Sequence, residues 1–148
     1  MSILANGVDD GTGMSQTPGS SYALFPTALQ KMAQMQVRDK SIGFPGLVKD
    51  GTINGSHQFP IQHVLNWVEI RADGDAPSGS ALTVQIVIGG ALQSQVFSLN
   101  AASNYSGLLA VTSPGLTVNA NQTVAVKLVS GNQASDLVVT LHYQKVIP

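Results

Sequence analysis

Charge is what this sequence has least of. Charged residues make up 10% of the chain, where a soluble domain ordinarily keeps about a quarter. Of the sixty residues between Asp75 and Asp136, only Lys127 carries a formal charge. That block alternates Val, Ile and Leu with Ser, Thr, Asn, Gln and Gly. A β-domain without charges lacks a usual guard against edge-to-edge association. Such a surface makes sense where neighbouring subunits cover it, and the expectation is a structural subunit of an assembly.

The other absences narrow the reading further. Cysteine is missing, which excludes a disulfide framework and a thiolate metal site. The seven basic residues, Lys31, Arg38, Lys40, Lys49, Arg71, Lys127 and Lys145, are scattered. No basic patch survives that count, so no nucleic-acid partner is expected. No apolar run approaches the roughly 18 residues of a membrane span, and Met1 to Gly13 has neither the basic start nor the apolar stretch of a signal peptide. The sequons at Asn54, Asn104 and Asn121 are read as chance in an Asn/Ser/Thr-rich chain.

At 148 residues the chain holds one compact domain and an appendage. Residues 1–58 read as an N-terminal arm. Met1 to Ser21 is rich in Gly, Ser, Asp and Thr, too polar to build a core of its own. Pro26 suits a first helical turn, and Leu29, Met32, Ala33 and Gln36 follow at helical spacing. The spacing predicts one short amphipathic helix over 28–40, ended by Ser41-Ile-Gly-Phe-Pro-Gly46. Lys49 to Gly55 reads as turns. In the arm, Leu24, Phe25, Leu29, Met32, Met35 and Phe44 are the sizeable apolar anchors, and they are the candidate partner-binding residues.

Residues 59–148 change to a period of two. Val64, Asn66, Val68 and Ile70 fall on one face of the first strand, with His63, Leu65, Trp67 and Glu69 on the other. Leu82 to Ile88, Leu92 to Leu99, Thr123 to Val129 and Leu137 to Tyr143 follow, and Gly89-Gly90 is a two-residue hairpin signal. Six to eight short strands, each with one apolar face, predict an all-β fold: an antiparallel β-sandwich, jelly-roll or immunoglobulin-like, preceded by the arm and its short helix. Trp67, the sole tryptophan, is expected to pack between or against the sheets.

Chemistry is sparse. His63 and His142 lie in different strands with no carboxylate at ligand spacing in sequence, so no metal site is expected and exposed or satisfied strand histidines are the default. Asp9-Asp10-Gly11 and Asp73-Gly74-Asp75 look like calcium-loop fragments. Calcium needs six to eight oxygens and usually a bidentate Glu, and Glu69 is the only glutamate, so these read as turns. Asp10-Gly-Thr-Gly13 lacks the strand and lysine of a phosphate loop, and no serine sits in a nucleophile elbow. No catalytic residue, cofactor or enzymatic activity is expected.

The stretches Ala76 to Gly90, Leu116 to Val129 and Asp136 to Tyr143 resemble a pattern in small β-sandwich virion proteins of tailed bacteriophages, among them capsid cement proteins, head fibres and tail-fibre tips. The resemblance covers about residues 60–146 and none of the arm. It implies a virion location, a structural role and often a trimer. On this basis the first expectation is a cement (decoration) protein on the major capsid protein or other virion subunits. The second is a fibre-tip module whose loop from Ala72 to Ser80 contacts a host glycan.

Overall fold

The structure is a computed structural model and describes residues 4–5, 7–8, 37–113 and 115–146. The chain divides into two units, 1–36 and 37–148. In the first, β1 (Leu4–Ala5) pairs antiparallel with β2 (Gly7–Val8). Of the expected partner-binding residues, Leu24, Phe25, Leu29, Met32 and Met35 lie outside the described residues, as does the expected helix from 28 to 36.

The second unit is all-β. It comprises β3 (Val37–Leu47), β4 (Ile53–His57), β5 (His63–Ala72), β6 (Leu82–Ile88), β7 (Ala91–Leu99), β8 (Tyr105–Ala110), β9 (Leu116–Val118), β10 (Val124–Ser130) and β11 (Ser135–Lys145). One antiparallel sheet runs β4-β10-β6-β7; the other runs β3-β11-β5-β8, with β9 also paired to β5. Consecutive strands mostly change sheets. The exception in the first sheet is β6-β7, joined by Gly89 and Gly90 at φ 57° and 81°, the positive pair that a tight hairpin turn requires.

The alternation read from β6, β10 and β11 holds. Leu82, Val84, Ile86 and Ile88, then Val124, Val126 and Leu128, then Leu137, Val139, Leu141 and Tyr143 are all buried. They belong to a single apolar cluster between the sheets, together with Phe97 and Leu99 of β7.

The domain start moves. Residues 37–58 were expected in the arm, yet β3 and β4 are strands of the two sheets. Val37 to Lys40, expected as the end of a helix, pairs with β11 from Val37↔Gln144 to Lys40↔Leu141. Ile42 and Phe44 of β3 face the core, paired in register with Val139 and Leu137. Phe44 is therefore a core residue and not a docking anchor. The helical spacing of 29–36 gave no warning, because pairing with a strand about 100 residues later decides the conformation of 37–47. Pro45 is tolerated because β3 ends its sheet, and the Gly46 N–H donates to Asp136 at 2.8 Å.

The β5 phase also differs. Leu65 pairs with Tyr143 but Trp67 pairs with His142, so Asn66 is an extra residue. Such a bulge shifts the alternation by one place. His63 and Leu65 are buried before it, and Val68, Ile70 and Ala72 after it. Trp67 thus turns outward, 43% exposed, instead of packing into the core.

Of the edge strands, β3 carries Arg38, Asp39 and Lys40, while β4, β7 and β8 carry no formal charge, and a second device guards all four. The pairings of β3, β4, β7 and β8, the strands that end the two sheets, are each interrupted by a register shift. Bulges of this kind bend an edge away from further pairing. In β7 the Gln85 amide donates to Gln93 O at 3.0 Å, satisfying a carbonyl that the bulge frees.

Candidate functional site

The two outer faces differ in chemistry. On the four-stranded sheet, β4, β6, β7 and β10 carry one formal charge, Lys127. Ile53, Leu92, Val96 and Val129 are exposed there, Ile53 at 55%. Between them lie Thr83, Gln85, Ser94 and Ser98. This face has few groups that water holds strongly and several that it does not.

The five-stranded sheet gathers polar side chains from four strands. His142 on β11 stands between Asp39 on β3 and Trp67 on β5 in register. Its Nδ1 lies 2.7 Å from Asp39 Oδ1 and its Nε2 2.6 Å from Glu69 Oε1. Tyr105 on β8 donates its hydroxyl to the other Glu69 oxygen. A ring flanked by carboxylates at both nitrogens is favoured in its doubly protonated form, which can donate to each. Burial lowers the His142 pKa, but the bonds to Glu69 and Asp39 and their charges outweigh it, and the net direction is upward. Glu69 moves the other way, held low first by the Tyr105 bond and then by His142. Ser41 and Thr140 are hydrogen-bonded beside this row at 3.1 Å, and Arg71 pairs with Asp73 at 2.6 Å.

Beside Trp67 is a hollow of about 210 Å³ lined by Asn66, Trp67, Ala110, Val111, Ser113 and Gly115. A second groove, about 460 Å³, separates the ends of β7 and β8 and is lined by Gln95, Phe97, Tyr105 and Leu108 among others. Gln95 straps it: its amide donates to Ala110 O at 3.0 Å, and its carbonyl accepts from Thr112 N at 2.8 Å.

Inside, an aromatic group closes one end of the core. Phe59 stacks on His63 with centroids 3.8 Å apart and meets Tyr143 edge-on at 4.8 Å. The Tyr143 hydroxyl lies 2.8 Å from His57 Nε2. His63 donates from Nδ1 to Ile61 O at 3.0 Å, which leaves its buried Nε2 without a partner. Burial, then Lys40, lowers the His57 pKa. Burial also lowers that of His63, with the Ile61 bond opposing and Arg38 and Lys145 adding to it.

His63 faces the core, fully buried, and His142 faces outward, so the two do not converge. The carboxylates absent near His142 in sequence reach it from neighbouring strands. Among the described residues no group of His, Cys, Asp and Glu has the arrangement of a metal site. Asp73-Gly74-Asp75 is a turn whose Gly74 and Asp75 amides bond Ser135. The row from Asp39 to Tyr105 escaped sequence reading because its members lie 30 to 103 residues apart along the chain. A phase break in the β5 alternation is the one local signal that could have placed Trp67 outside.

No protein-family model and no curated protein matches this chain. Among solved structures, a chain described as a cyanophage Pam1 capsid asymmetric unit is similar at 14% identity and a TM-score of 0.40, over 93% of this chain and 96% of that one. The described part of this chain is an all-β unit of two antiparallel sheets.

Proposed function

We propose that this chain is a non-enzymatic structural protein of a bacteriophage virion, a cement or decoration protein that bridges major capsid subunits and self-associates, with a trimer the first expectation. The observation that carries this reading is the outer face of the four-stranded sheet, with four exposed large apolar side chains and a single charge. Four strands about 4.8 Å apart, of five to nine residues and seven on average, span about 19 Å by about 23 Å. That footprint is about half of the ~800 Å² per partner in a standard interface. One face therefore gives a contact of moderate strength, and tight attachment needs further area and several copies. The arm supplies the area in this reading: Leu24, Phe25, Leu29, Met32 and Met35 are its apolar anchors, and an extended segment that orders on its partner wraps much surface at an entropic cost. Phe44 is withdrawn from that set.

Sedimentation equilibrium of the full chain tests the self-association. An oligomer is expected, and Leu92→Lys with Val96→Lys is expected to dissociate it. A clean monomer of 15.4 kDa refutes self-association through this face. In a purified particle, hundreds of copies support cement, and a few to dozens point to a tail part instead.

A further inference from the structure

We propose that the polar face of the five-stranded sheet binds a neutral sugar, with one pyranose ring seated in the hollow against Trp67. The site lies outside the loop from Ala72 to Ser80, and the inference holds whether the chain sits on a head or a tail.

The first observation is the placement of the indole. The only tryptophan of a chain with 5% aromatic residues stands outside the core. It is there because of the extra residue at Asn66. Bulges re-aim side chains and are enriched beside functional sites. This one leaves Asn66 and Trp67 as neighbours between buried Leu65 and buried Val68.

The second observation is the hollow itself. Its 210 Å³ corresponds to about seven waters by their share of the liquid, which is the size of one pyranose ring. The lining residues are mixed in kind: Trp67, Ala110 and Val111 are apolar, and Asn66 and Ser113 are polar, with the Asn66 amide also donating to Gln144 Oε1 at 3.4 Å. Gly115, at a positive φ of 97°, lets the chain pack closely on β5 at the rim of the hollow. A Cβ there would stand 2.8 Å from Val64 Cγ1 and 3.1 Å from Asn66 Oδ1.

The third is the neighbouring polar row. Glu69 follows Trp67 by two residues on the same strand, about 6.6 Å along the face, the scale of one sugar residue. His142 and Tyr105 fix its carboxylate. Each carboxylate oxygen accepts more than one hydrogen bond, so Glu69 keeps lone pairs for hydroxyl donors. Tyr105, 52% exposed, offers a second aromatic surface beyond it.

A ligand for this face must cover an indole with C–H groups and pair hydroxyls with an amide and a fixed carboxylate. A pyranose has both sides. The carboxylates of Asp39, Glu69 and Asp73 are paired with His142 and Arg71, so the face leaves no unpaired cation among these groups to hold a phosphate or uronic acid, and a neutral sugar suits it better. A protein partner would bring apolar anchors that seek deep, dry pockets, and this hollow is small, about 210 Å³, beside a row of polar side chains.

The single tryptophan makes its fluorescence a direct report of the site. The full-length protein is titrated with trisaccharides of glucose, galactose, mannose and N-acetylglucosamine, with a glucuronic acid oligomer as the anionic control. Tryptophan emission and saturation-transfer NMR are read together. At least one neutral sugar is expected to shift the emission saturably and to receive saturation. Trp67→Ala should abolish the NMR signal, and Asn66→Ala should weaken binding about tenfold, the value of one lost hydrogen bond. Leu92→Ala on the opposite sheet should change nothing. Unfolding midpoints of the variants identify any loss caused by misfolding, and Ser113→Ala serves as a second probe of the hollow if Asn66→Ala unfolds. The proposal is overturned if no neutral sugar moves either signal, if binding survives Trp67→Ala, or if only the anionic control binds.

Discussion

Deleting residues 1–47 removes β3 from the five-stranded sheet, while deleting residues 1–36 leaves every strand of both sheets whole. The two truncations should therefore behave very differently. Losing β3 takes Ile42 and Phe44, 5% and 2% exposed, out of the core. Each such side chain contributes about 1.5–3 kcal/mol, so the pair contributes about 3–6 kcal/mol. The loss also bares the edge of β11 along its length and frees His142 from Asp39. A domain of this size holds about 5–15 kcal/mol in total, so the longer deletion should leave a marginal fold or none. The shorter one should stay within about 1 kcal/mol of the full chain, the range of changes that leave a core untouched. A cut after residue 40 falls between them, since it keeps Ile42 and Phe44 but loses the Asp39 bond. Urea unfolding followed by circular dichroism gives midpoint and slope for each. If the 1–47 deletion unfolds like the full chain, the pairing of β3 does not stabilise the domain and the argument fails. If the 1–36 deletion cannot fold, residues before Val37 belong to the core.

Two further outcomes follow from the buried and the exposed histidines. His57 and His63 have folded pKa values lowered below the ordinary 6.5 of a histidine, so the unfolded chain binds their protons first. Stability they support is present above pH 6.5 and is lost as pH falls below it, by at most about 1.4 kcal/mol per pH unit for one histidine. His142, with a raised pKa, contributes below 6.5 and loses its contribution as pH rises through the folded value. Thermal unfolding across pH should show a maximum between the two limbs, and His142→Gln should flatten the alkaline one. A monotonic profile with no acid limb contradicts the burial of His63. Tyr143→Phe should cost about 1–3 kcal/mol by leaving His57 Nε2 without its partner in a half-buried site, measured by urea unfolding. A neutral effect would mean that water satisfies that nitrogen.

The sequence by itself determined the fold class and most of the core. Strict alternation in Leu82 to Ile88, Val124 to Leu128 and Leu137 to Tyr143 names the inward residues, because strand side chains alternate faces whatever the partner strand is. Gly89-Gly90 gives the hairpin for an equally local reason, since two successive positive φ values suit glycine. The scarcity of charge was also legible, and so was the expectation of a covered surface. Where the chain departs from local rules, only the tertiary structure decided. Arg38 to Phe44 carries a strand pattern too short to outweigh the helical spacing before it, until pairing with β11 fixes it. One extra residue at Asn66 reverses the phase of β5 and moves Trp67 from the core to the surface. The hydrogen-bonded row of Asp39, His142, Glu69 and Tyr105 exists only because four distant segments lie side by side, so no spacing along the chain announces it.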